Sequence, residues 1–197
     1  MSRPHRYLLM DLFAGCGALE AAGYRVVEGG IPNAARAPEL WAELVGNELL
    51  HSALPSWEGL IAESNRQHIE AMFGLFDLGD SLSAWTHSIV ERRGTAQATA
   101  ELMEEHPLIV APVAGMKAPS LDFDQYLDLD ATRDLFDHMR DVVWVNLLSL
   151  PSIALPNGIQ LVARRFREAE AAAAAAAVVG ALGPVTIAEP RPAEAPA

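Results

Sequence analysis

Cysteine and lysine are nearly missing from this chain of 197 residues: it has one of each, Cys16 and Lys117. A lone thiol excludes an internal disulfide and any metal cluster made of cysteines alone, and it fits a reducing compartment, so a cytoplasmic location is expected. A lone lysine leaves thirteen of the 14 basic residues as arginine, which stays protonated at neutral pH and cannot serve as a general base. Long apolar runs are missing too. The alanine-rich stretch near 171–182 is too short and too weakly apolar to span lipid. The apolar segment after Arg6 is interrupted by Asp11, so it lacks the core of a secretion signal. Positive charge is scarce: 14 basic residues against 26 acidic ones give a formal charge of -12. Such a surface repels phosphate backbones and anionic lipid, which disfavours general binding to nucleic acid or membrane.

What is present suits one soluble globular unit, with 51% hydrophobic and 20% charged residues. A compact chain of this size buries roughly 70% of its unfolded surface and needs no staple. We expect a single domain over residues 1–183. A loose tail is expected over 184–197, where Pro184, Pro190, Pro192 and Pro196 accumulate.

Residues 18–23 read as a helix end with Gly23 in the left-handed conformation, and 24–28 as a short strand. Leu40, Trp41, Leu44, Val45 and Leu49 follow helical spacing, as do Ile69, Met72, Phe73 and Phe76. Residues 55–59 form a turn. Asp80 is placed to cap a helix running to Arg93; Gly94 breaks it, and Thr95 caps a second piece ending near His106, before Pro107. The apolar segment 108–113 predicts a strand covered on both faces, inside a sheet. Residues 114–130 read as a loop, and Leu135, Phe136, Met139, Val142 and Val143 mark another helix. Segments 152–155 and 159–163 predict strands. Residues 167–182 predict a helix of high propensity whose alanine face grips a core weakly. The pattern predicts an α/β fold, a mixed sheet flanked by helices, with about four short strands and hence an incomplete sheet.

Most chemistry-bearing motifs are absent. His5, His51, His68, His87, His106 and His138 have no zinc spacing, and no cofactor is expected. Asp122, Asp124, Asp128, Asp130 and Asp134 lack the glycine and glutamate of a calcium loop and read as a solvated acidic segment. No phosphate-cradling Gly-x4-Gly-Lys-Ser/Thr, no Gly-x-Ser-x-Gly and no Ser-x-x-Lys occurs. Residues 8–17, ending Ala-Gly15-Cys16-Gly17, resemble the S-adenosylmethionine loop of cytosine DNA methyltransferases. In that alternative they form a strand entering a glycine loop, with Glu28 on the ribose.

Four stretches, in order, carry a stronger resemblance. Leu19-Glu-Ala-Ala-Gly23 leads to Ile31-Pro32 and Leu40-Trp41; Arg92-Arg93 leads through His106-Pro107 to Pro112 and Ala118-Pro119. Asn146 to Pro156 has Ser149 where glycine is usual, and Gly158-Ile-Gln160-Leu-Val-Ala163 precedes Phe166 and Glu168. Together they resemble the C-terminal half of the amidase signature family, hydrolases of carbon-nitrogen bonds in amides. The resemblance implies a serine acyl-enzyme chemistry whose lysine base, bridging serine, nucleophile and Gly-Gly-Ser-Ser loop belong to the family's N-terminal half. None of the present residues matches those positions, so no catalytic residue is assigned and the chain alone is expected to be inactive. Trp57, Phe123 and Tyr126 are candidate apolar lining of a substrate cleft. An N-terminal amidase half, or a second copy, is the expected partner. A non-catalytic interaction module is the alternative.

Overall fold

The computed structural model describes residues 6–79, 81–116, 129–155 and 158–183; side chains of 6–13 and of Leu129 are outside the description. Helix α1 spans Arg6–Ala21. A 3-10 turn, Ala34–Arg36, enters α2, Ala37–Trp41. The same coil continues through wide π-helical turns at Ala42–Gly46 and Leu49–Ala53 into the short α3, Leu54–Ser56. Then follow α4 (Glu63–Phe73), α5 (Leu82–Glu105), β1 (Leu108–Pro112), α6 (Leu129–His138) and α7 (Arg140–Leu148). The chain continues through β2 (Ser152–Ala154), β3 (Ile159–Ala163) and α8 (Glu168–Leu182).

The three strands form an open antiparallel sheet in the order β1-β3-β2. The helix-and-sheet class and the incompleteness of the sheet match the reading of the sequence. The position of β1 does not. It lies at an edge and is mostly half-buried, whereas β3 is central and buried at every position. Strand periodicity explains how β3 organises two cores. Ile159 and Leu161 face α1 and α8, joining Ala18, Leu19, Ala174, Ala175 and Val178. Val162 faces the other way, onto Ala37, Leu40, Trp144, Leu147 and Leu148 of α2 and α7.

Several expectations need correction. Residues 8–17 are helical rather than strand and loop. The amides after the first turn are therefore engaged within α1 and are not displayed to a cofactor. Gly15 has a packing reason instead: a Cβ there would come within 2.3 Å of Ile159 Cδ1, so the glycine lets α1 approach β3. Gly23 does take a positive φ, 92°, and ends the helix as expected. Residues 24–28 form no strand; Tyr24 and Val27 are exposed, and no neighbouring strand supplies a ladder there.

Gly94 does not break α5, which runs unbroken for 24 residues. A solvent-facing glycine weakens a helix by only about 1 kcal/mol, and packing of the flanking turns outweighs that. Thr95 is buried within it, its Oγ1 donating to Glu91 O at 3.1 Å and accepting from Asn33 Nδ2 at 2.9 Å. The N-cap is Ser81, whose Oγ accepts from Ala84 N at 3.1 Å; Asp80 lies outside the described residues. The helix expected near 135–143 is two helices, parted at Met139. The alanine face of α8 grips better than expected: Ala171, Ala174, Ala175 and Val178 are buried, because small side chains let α8 seat closely on α1 and the sheet. Lys117 and the 184–197 tail lie outside the described residues. No described helix is long and apolar enough to cross a membrane.

Candidate functional site

The most connected polar cluster lies where the 3-10 turn and the first π turn meet α5. Arg36 Nη2 donates to Glu43 Oε1 at 2.6 Å, and its Nε donates to Glu91 Oε1 at 3.1 Å. Ser88 Oγ, buried in α5, donates to Glu43 Oε2 at 2.5 Å and to Ala84 O at 3.2 Å. Burial opposes the charge of Arg36, but the bonds to Glu43 and Glu91 outweigh it and hold the guanidinium above its ordinary pKa. A serine within reach of a carboxylate has the outline of a nucleophile and base. The surroundings do not support that role. Glu43 is already engaged by an arginine, Ser88 is buried on the inner side of α5, and neither residue lines a described cleft. The cluster pins the coil at 34–46 to α5. Sequence reading missed it, although the spacing of Arg36, Glu39 and Glu43 on successive turns of one helical face was the available signal.

Two open clefts meet at Gly79. One, of about 690 Å³, is lined by Leu50, Phe73, Phe76 and Leu78, with Glu70 and Asp77 supplying carboxylates. The other, of about 460 Å³, is lined by Asn47, Glu48, His51, Ser81, Leu82 and Trp85. Ser81 and His51 share that second cleft, but the Ser81 hydroxyl serves as the α5 cap. No lysine or arginine lines either cleft. Of the three residues expected to line a substrate pocket, Trp57 sits 36% exposed in the turn after α3 and lines neither cleft. Phe123 and Tyr126 lie outside the described residues. Among the described residues, no group of histidine, cysteine and carboxylates is arranged to hold a metal.

The C-terminus of α7 is held by two arginines. Arg92 Nε donates to Leu147 O at 2.6 Å, and Arg165 donates to Leu148 O through Nε at 3.1 Å and Nη2 at 2.5 Å. Cations there satisfy carbonyls that the helix leaves open and complement its dipole. The residue that ends α7 is Ser149, at φ 53° and ψ 47°. Its place in the left-handed region explains in physical terms why glycine suits this position. Ser149→Gly is expected to raise stability by about 0.5–1 kcal/mol, read as a higher midpoint in urea at an unchanged slope.

In the first turn of α7, burial pushes the Asp141 carboxyl above the usual carboxylate range, with Arg140 pulling the other way. A carboxyl raised on folding stabilises fully below its unfolded pKa, and that contribution is lost as pH climbs through the folded value. Asp141→Asn is therefore expected to melt above the wild type near pH 7, with the gap closing as the pH is lowered through the carboxylate range. A gap that stays constant with pH would refute this.

No protein-family model matches the chain. It is similar to an indoleacetamide hydrolase of Bradyrhizobium japonicum, 28% identical over 171 residues, covering 81% of this chain and 36% of that protein. It is also similar to an indoleacetamide hydrolase of Bradyrhizobium diazoefficiens, 26% identical over 174 residues, covering 84% of this chain and 33% of that protein. The chain thus spans about a third of the length of the curated relatives it matches. Together with the four ordered stretches from Leu19 to Glu168, these likenesses support the resemblance to the amidase signature hydrolases and are consistent with a C-terminal portion of such a protein.

Proposed function

We propose that these residues form the C-terminal scaffold of a hydrolase of amide carbon-nitrogen bonds, and that they hydrolyse no amide by themselves. The scaffold contributes the β1-β3-β2 sheet, its helical cover and one wall of a substrate cleft. The nucleophile, its base and the oxyanion donors come from an N-terminal amidase half. The observation that carries this reading is the fate of Ser88. It meets a carboxylate, yet it is buried on the inner side of α5 with Glu43 engaged by Arg36, which leaves this serine closed to a substrate. The sequence also contains no Gly-Gly-Ser-Ser, and its one lysine is Lys117. The relatives' names supply the substrate class, a primary amide on an arylacetic side chain. The single thiol supports a cytoplasmic setting.

The test is ammonia release from indole-3-acetamide. None is expected from the chain alone, and release is expected when an amidase N-terminal half is added. Turnover by the chain alone would overturn the reading, and its loss in Ser88→Ala would assign the nucleophile to Ser88. A second reading, a non-catalytic interaction module, draws on the exposed apolar side chains Leu82, Val90 and Phe166. It is favoured if the added half binds and no ammonia appears.

A further inference from the structure

Phe166 combines two unfavourable properties. It is 90% exposed, and its φ of 63° places a bulky side chain in the left-handed region. Neither stabilises the isolated chain: exposed aromatic surface forfeits burial, and the backbone conformation is strained. Its neighbours are cationic. Arg165 reaches the end of α7 beside Arg92, and Arg167 pairs with Glu170. The buried Nε of Arg164 has no hydrogen-bond partner among the described residues. In a chain of formal charge -12, the turn between β3 and α8 is thus an aromatic knob set among guanidinium groups.

The complementary surface is on the same molecule, built from other elements. The 690 Å³ cleft between α4 and the second π turn has an apolar floor of Leu50, Phe73, Phe76 and Leu78 and carboxylates at Glu70 and Asp77. Glu48 extends the negative rim into the adjoining cleft, where His51 also sits, and no lysine or arginine lines either one. Arg66, which pairs with Glu70, is the flanking cation on α4. We infer that this cleft receives Phe166 of a second copy of the chain, with the arginines around the knob meeting the carboxylates around the cleft. The two surfaces differ, so the contact is head-to-tail, and an associated pair keeps one free cleft on one copy and one free knob on the other, from which the assembly grows. This inference does not depend on the hydrolase reading.

Sedimentation velocity of the full chain across a concentration series tests it. The expected result is association that strengthens with concentration and weakens with added salt, as paired opposite charges require. Phe166→Gly removes the anchor and relieves the strain together. Association is expected to weaken by about thirtyfold, while the melting temperature rises by about 2–4 °C. Glu70→Arg, on the exposed face of α4, is expected to weaken association from the cleft side. Mixing the two variants is the decisive arm: one retains a good cleft and the other a good knob, so together they give discrete heterodimers that neither forms alone. A chain that is monomeric throughout, a Phe166→Gly variant that associates like the wild type, or a mixture that stays monomeric would each overturn the inference.

Discussion

Replacing Trp144 by alanine should lower stability by about 3–5 kcal/mol, the cost of emptying an aromatic-sized hole in a core. Trp144 is completely buried, and its Nε1 donates to Pro32 O at 3.0 Å across the chain. The variant loses contacts of α7 with α2 and also removes the donor of the half-buried Pro32 carbonyl. Total stabilities of 5–15 kcal/mol are usual, so much of the folded population is at risk. Urea unfolding followed by far-UV circular dichroism reads the effect. Trp144→Phe keeps most of the volume and should recover more than half of the loss. If the alanine variant lost less than about 1 kcal/mol, the second core would be loosely packed, contrary to the complete burial of Trp144.

Leu161→Ala is expected to cost about 2–5 kcal/mol. The side chain is fully buried at the centre of β3, between the edge strands and beneath α1 and α8. A cavity there has little chance of collapsing, because strands flank it on both sides. Val162→Ala, one residue on, removes less volume from the opposite core and should cost about 1–2 kcal/mol less than the leucine change. Chemical denaturation of both variants at one temperature decides the order. A larger loss at Val162 would mean that the cover of α1 and α8 over Leu161 is weaker than the structure shows.

The strands that could be read from the sequence were those with strong local signals. Segment 159–163 is a short, largely apolar run entered from a glycine, and it became β3. Segment 108–113 became β1, but whether a strand is central or at an edge depends on its partners, which periodicity does not encode. The misreading of 8–17 has a particular cause: glycine that marks a tight turn and glycine that permits a helix to approach a strand look identical in sequence. Only the closeness of Gly15 to Ile159 separates them. Gly94 misled for the related reason that propensity is a weak preference beside the packing of a helix of 24 residues.

The candidate site was less legible than the fold. Trp57 is an aromatic side chain in the turn after α3, and where such a turn sits depends on packing that the local sequence does not encode. Phe166 stands in the sequence only as part of a motif, because a positive φ leaves no mark on a phenylalanine's neighbours. Ser149 was partly legible, as a serine standing where glycine is usual, and its left-handed geometry supplies the reason.

The separation of β1 from β3 along the chain, with α6, α7 and β2 made in between, bears on biosynthesis. As the polypeptide leaves the ribosome, β1 emerges before any of its described strand partners exists and displays bare amides and carbonyls to the crowded surroundings. Helix α1 is already available by then, and its Ala18 and Leu19 belong to the core against which Leu108 and Val110 pack. It can shield the apolar side of the waiting strand, and the nascent chain's exposure to misassociation ends when β3 is released.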